Sequence, residues 1–189
     1  RWGLIAISLL AFGFLFYRYL VHDGDFDVYW AATFRFVHGL KVHVYEPSLF
    51  TYPTFASFLL LPVYPLGYSA GKVIFFLVNV FFLVGAIAVC QRKVVGNSAV
   101  KTATLIVTLL FSVRSILDVF NNQQTDILIF GLVIFGLGLF ARVPSLACSL
   151  MALAAGLKAN PLFMVLLPIF KKRWAAAVVF LLLTIGFVI

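Results

Sequence analysis

The sequence predicts an all-α fold: a polytopic transmembrane helical bundle with an outer-face loop that carries an interfacial helix. Three observations predict it. Of 189 residues, 64% are hydrophobic and 11% charged, with a mean hydropathy of +1.14, the balance of a chain solvated by lipid rather than water. Apolar runs recur along the whole length, separated by short connections. The six carboxylates are not scattered, since four of them (Asp23, Asp25, Asp27 and Glu46) fall in one loop. A soluble domain is excluded, and the net charge of +8 comes in short groups between apolar runs, as topology signals do, which argues against nucleic acid as a partner.

Read against a hydrocarbon core about 30 Å thick, the apolar runs place helices near 2–21, 70–90, 102–114, 126–141, 145–157, 160–170 and 174–189. The first run is long enough to span as an anchor. Residues 22–50 form the first extracytoplasmic loop, and within it Val28 to His38 has a helical pattern. Trp30, Phe34 and Val37 share one stripe, Arg35 and His38 lie off it, and Gly39 is placed as a C-terminal stop. Such a helix suits the membrane interface. Residues 52–67, with Pro53, Pro62 and Pro65, read as a re-entrant or broken segment lining a site. The chain opens on Arg1 and stops within an apolar run, and the reading is one transmembrane domain over 1–189, the N-terminal portion of a longer protein.

Lysine and arginine accumulate in cytoplasmic loops, which provides an independent check. With Arg1 cytoplasmic and 52–67 not crossing, alternation puts Arg92, Lys93, Lys101, Arg142, Lys171, Lys172 and Arg173 on the same side, eight of the fourteen cations. All six acids then fall outside, Asp118 and Asp126 in the connection between runs 102–114 and 126–141. Acids contribute little to orientation, so their segregation points to a shared outer-face site.

Three polar groups converge on that face: the first loop, the stretch Asn121 to Asp126, and Lys158. A lysine deep in apolar sequence, with Pro161 just after it, is either an anion ligand facing a cavity or a side chain snorkelling to the interface. Asp25 and Asp27 precede the loop helix, and an aspartate there can cap it. The cap reading suits Asp27, adjacent to the helix start, which leaves Asp25 as the candidate base. Asp25-Phe26-Asp27 also fits an Asp-x-Asp metal pattern, but a three-residue pattern arises often by chance, and His22, His38 and His43 match no compact ligand spacing, so no metal and no cofactor is expected. Cys90 and Cys148 read as small hydrophobic thiols.

At these residues the chain resembles glycosyltransferase family 87, the polyprenol-phosphate-mannose-dependent α-(1→2)-mannosyltransferase-like membrane enzymes of the GT-C fold. Asp25-Phe26-Asp27-Val28-Tyr29-Trp30-Ala31-Ala32 is similar to the family's Asp-Phe-x-Val-Tyr-Trp-x-Ala element, followed by Gly39 and Tyr45. Phe50-Thr51-Tyr52-Pro53-Thr54 resembles Phe-x-Tyr-Pro-Pro, with threonine in place of a second proline. Asn122-Gln123-Gln124-Thr125-Asp126 resembles Asn-Gly-Gln-x-Asn/Asp, with Gln123 where glycine is usual, a departure that puts the local turn in question because glycine tolerates backbone angles glutamine does not. Lys158-Ala159-Asn160-Pro161 and the later Lys171-Lys172-Arg173-Trp174 are similar to a Lys-x-x-Pro helix start and a basic-Trp boundary.

The resemblance implies a hexosyltransferase of the plasma membrane that moves a sugar, mannose as the leading case and arabinofuranose as the alternative, from a polyprenyl-phosphate donor to a glycan or glycolipid acceptor on the extracytoplasmic face. Asp25 then takes the catalytic base position. Asp27, Tyr29, Tyr52, Asn122, Gln124, Asp126 and Lys158 are the substrate-binding candidates, Lys158 as the cation for the departing phosphate. Two rivals stand beside this reading. A lipid or glycan transporter or flippase needs polar groups through the membrane depth, whereas here the acids gather on one face. A noncatalytic GT-C-like subunit is favoured only by Gln123.

Overall fold

The computed structural model describes residues 2–43, 54–93 and 96–188, and every regular element among them is helical. The helices are α1 (Trp2–Val21), α2 (Asp25–Val37), α3 (Tyr68–Lys93), α4 (Ser98–Asn121), α5 (Asp126–Leu139), α6 (Pro144–Leu157), α7 (Leu166–Phe170) and α8 (Trp174–Val188), with short 3-10 segments at Thr54–Phe58, Tyr64–Leu66 and Asn160–Val165. Two of them, α3 and α4, are long and apolar enough to cross a membrane, with mean hydropathies of 2.8 and 1.8 in their most apolar stretches. The 14- and 15-residue helices α5, α6 and α8 fall short of the roughly 20 residues a straight span needs.

Several elements differ from the sequence reading, each for a local reason. The run 102–114 extends to Ser98–Asn121, capped by Asn97, whose side chain accepts the Val100 N–H at 3.0 Å. Asp118 therefore lies inside α4 and not in a connection. Its exposed carboxylate stands one turn from Arg114, 4.0 Å away, and such a polar pair decorates a helix without ending it. The run 160–170 divides into a 3-10 segment and the five-residue α7, because Pro168 lacks an amide proton for a continuous α-helical ladder, whereas Pro161 stands in the first turn, where none is needed. The part of 52–67 that is described is broken as expected, into two 3-10 turns.

Helices α3, α5, α6 and α8 pack side by side in that order. The α6 face is built of small residues, with Ala147, Ala152, Ala154 and Ala155 buried, which lets its neighbours approach closely where apolar burial alone gives no drive within lipid. The buried Cys148 behaves as one more small apolar side chain. On the other flank, α1 lays Phe12, Phe16 and Tyr19 on Phe76 of α3 at ring separations of 5.6, 5.0 and 4.9 Å, and Phe76 meets Phe120 of α4 at 5.3 Å. The 12, 16, 19 spacing is one helix face.

This arrangement gives the bundle two different ends. The C-terminal ends of α1, α4 and α6 and the N-terminal ends of α3 and α5 meet at one end, where α2 is seated. The described acids lie toward that end. The far end holds the last turn of α3, with Arg92 and Lys93, and the α5–α6 connection with Arg142.

Candidate active site

Helix α2 begins at Asp25, three residues before the start expected from sequence, and Gly24 is its N-cap. Asp27 is thus not the N-cap. It sits at the third helical position and reaches back, its Oδ2 accepting the Gly24 N–H at 3.2 Å while its own N–H donates to the Gly24 carbonyl at 3.0 Å. The helix start is stabilised as a capping box would stabilise it, from the far side of the turn. Asp25, at the first position, is half-buried.

The buried face of α2 is Phe26, Tyr29, Ala32 and Thr33, not the stripe that periodicity singled out. Phe34 and Val37 are each 44% exposed and point outward, the side from which an interfacial helix meets lipid. The inner face is held by polar contacts. Thr33 Oγ1 donates to the Ser57 carbonyl at 2.7 Å, and the Tyr29 hydroxyl meets Thr125 Oγ1 at 3.2 Å. Tyr29 is fully buried and ties α2 to the turn at 122–125. Trp30 packs on Tyr64 and Tyr68 at 5.1 and 5.7 Å, over Gly71, where a Cβ would lie 2.6 Å from the indole ring.

The decisive docking contact is backbone to backbone. Asp25 N–H donates to the Asn122 carbonyl at 2.9 Å, and a Cβ on Gly24 would come within 2.8 Å of that same oxygen. Only a residue without a side chain lets the two segments approach so closely. Asn122 closes α4 as its C-cap and is exposed, and Gln124 is half-buried, its N–H donating to the Val119 carbonyl at 3.0 Å.

Between them, Gln123 occupies the left-handed region, φ 55°, the conformation for which glycine is the natural residue. Its side chain accounts for the substitution. Fully buried, it donates from Nε2 to the Tyr19 and His22 carbonyls at 2.7 and 2.6 Å, satisfying oxygens left open at the end of α1.

A second group at this end was not singled out by the sequence reading. Lys72, 3% exposed, donates to the His22 carbonyl at 2.8 Å and to the Tyr68 hydroxyl at 3.3 Å, and its ammonium lies 5.5 Å from the Tyr68 ring centre. Tyr68 in turn donates to Asp27 Oδ1. The signal was available: a lysine near the start of the long apolar run of α3 is costly unless it is paired or held by carbonyls.

Lys158, the C-cap of α6, reaches Asp126 Oδ1 at the start of α5 across 2.7 Å, with side-chain exposures of 33% and 39%. Lys158, Asp126, the 122–125 turn and the start of α2 therefore form one connected end of the bundle. Asp126 also borders an apolar cavity of about 280 Å³ between α3, α4 and α5, walled by Leu83, Ile87, Leu109, Ile116 and Phe130, and is the charged residue in its lining. Tyr52 lies outside the described residues. Among the described residues, no three His, Cys, Asp or Glu side chains are grouped to hold a metal ion.

A search of curated proteins and a search of solved structures gave no match. The family model of Glycosyltransferase family 87 matches residues 50–189, a stretch that contains Tyr52, Asn122, Gln124, Asp126 and Lys158 and leaves Asp25, Asp27 and Tyr29 outside it. The match and the two helices able to span mark a membrane protein. The chain belongs to glycosyltransferase family 87, and its class of activity is glycosyl transfer from a sugar donor to an acceptor.

Proposed function

We propose that the protein is a multi-pass, GT-C-type enzyme of the plasma membrane that transfers a hexose, mannose by preference, from a polyprenyl phosphate to a glycan or glycolipid hydroxyl at the extracytoplasmic face. The observation that carries this reading is the 2.7 Å Lys158–Asp126 pair at the edge of the apolar cavity. A lipid-linked donor needs an apolar surface for its tail and a cation for its phosphate, and Asp126, which borders the cavity, is paired with that cation.

In this reading the acceptor hydroxyl attacks the anomeric carbon as its proton passes to the Asp25 carboxylate. The bond between that carbon and the phosphate oxygen breaks, and polyprenyl phosphate leaves with the bonding pair. Lys158 stabilises the charge developing on the phosphate. Asp126 holds the lysine in place before the donor arrives. Asn122 and Gln124 offer amides to the sugar, Asp27 braces the helix start that presents Asp25, and Tyr52 is a substrate-binding candidate on its sequence element alone.

The substrate class is tested by offering the full-length protein, in liposomes, a polyprenyl-phosphate hexose or a nucleotide hexose together with a glycan acceptor. Consumption of the lipid-linked donor alone is the expected result. Transfer from the nucleotide sugar alone would overturn the proposal.

A further inference from the structure

The far end of the bundle carries a second cavity, of about 560 Å³, whose lining includes Arg92, Lys93 and Arg142 together with the apolar side chains of Val89, Phe135 and Leu150. The three cations come from two separate stretches of chain, the last turn of α3 and the α5–α6 connection. Cations at a helix C-terminus complement its dipole, which accounts for Arg92 and Lys93 but not for Arg142, which reaches the same cavity from another connection. Among the described residues none of the three is in an ion pair, since the two pairs present are Arg114–Asp118 and Lys158–Asp126. No carboxylate in the described sequence lies near this end to neutralise them.

From this we infer that the cavity is a binding site for an anionic phospholipid, its phosphate held by Arg92, Lys93 and Arg142 and the start of an acyl chain laid along Val89, Phe135 and Leu150. Guanidinium groups suit phosphate oxygens because their donors form a planar fork. Basic pockets between membrane helices are where anionic headgroups collect. Scattered topology charges need not converge on one cavity with apolar walls, and these do. The site is remote from the Lys158–Asp126 end and stands independently of the reaction proposed there.

The test is native mass spectrometry of the full chain released from nanodiscs holding equal amounts of phosphatidylglycerol and phosphatidylcholine. The wild type is expected to retain phosphatidylglycerol selectively. Each cation near an anionic headgroup adds to its retention, so the triple variant R92Q/K93Q/R142Q should lose at least about tenfold in that retention. A control that removes as much charge elsewhere, K101Q/K171Q/K172Q, should keep it. Equal retention of both lipids by the wild type would overturn the inference without reliance on any variant. An equal loss in the control, or displacement of the lipid by inorganic phosphate at matching concentration, would also overturn it, the first by reducing the effect to diffuse charge and the second to a bare anion site.

Discussion

The amide of Asp25 and the carbonyl of Asn122, 2.9 Å apart, join the start of α2 to the turn between α4 and α5. The contact depends on Gly24, because a methyl group there would meet the Asn122 oxygen at 2.8 Å. Gly24→Ala should therefore lift α2 off the turn, lowering stability by about 1–3 kcal/mol as overpacking against rigid backbone does. Glycosyl transfer should fall further than stability does. Thermal unfolding in detergent and a transfer assay at a temperature where the variant remains folded separate the two, and a variant with wild-type melting and turnover would show that the contact is dispensable.

Gln123 yields a prediction that distinguishes backbone strain from side-chain bonding. A non-glycine residue in the left-handed region costs about 1–2 kcal/mol, and the buried amide offsets this through its bonds to Tyr19 and His22. Gln123→Ala keeps the strain and loses the bonds, whereas Gln123→Gly loses the bonds and relieves the strain. Denaturation should rank the wild type first, Gly second and Ala last, with about 1 kcal/mol between the two variants. An alanine variant as stable as the wild type would contradict this account of the turn.

The Lys158–Asp126 pair is partly exposed, so its own contribution to folding is expected to be under about 1 kcal/mol. Its worth in function should be larger. Lys158→Ala removes a charged donor to phosphate, and with such bonds contributing about 1.5–3 kcal/mol, the KM for a polyprenyl-phosphate donor should rise about tenfold or more. Asp126→Asn keeps the cation but weakens its anchor, and should affect donor KM less. Unchanged donor kinetics in Lys158→Ala would return that lysine to an interfacial charge.

The two-ended bundle predicts membrane sidedness. Single cysteines at the exposed positions 23 and 172, introduced in a background lacking Cys90 and Cys148, should react with an impermeant thiol reagent from opposite sides. Same-side labelling would overturn the orientation in which Lys171, Lys172 and Arg173 face the cytoplasm.

The helices were legible because apolar runs are long-range signals that lipid solvation imposes directly. Boundaries were less so where polar residues such as Arg114 and Asp118 ride on an exposed helix face. The buried face of α2, Phe26, Tyr29, Ala32 and Thr33, went unread for a related reason. Trp30, Phe34 and Val37 form an apolar stripe, but in a membrane protein the outward side is also apolar, so periodicity alone cannot say which side is buried. The family elements at 122–126 and 158–161 were legible as motifs. The use of Gln123 as a clamp on α1, and of Lys72 beneath Tyr68, depended on tertiary contacts between residues far apart in the chain, which no local pattern encodes.

The proposed reaction rests on Asp25, not Asp27, as the group that removes the acceptor proton. The most direct measurement is turnover at saturating donor and acceptor by full-length Asp25→Asn and Asp27→Asn, with membrane abundance and melting followed in parallel. The account predicts that Asp25→Asn loses at least about a hundredfold in kcat, the scale of a general base, with abundance unchanged. It predicts that Asp27→Asn loses stability first and turnover only in proportion. Near-wild-type kcat in Asp25→Asn would contradict it.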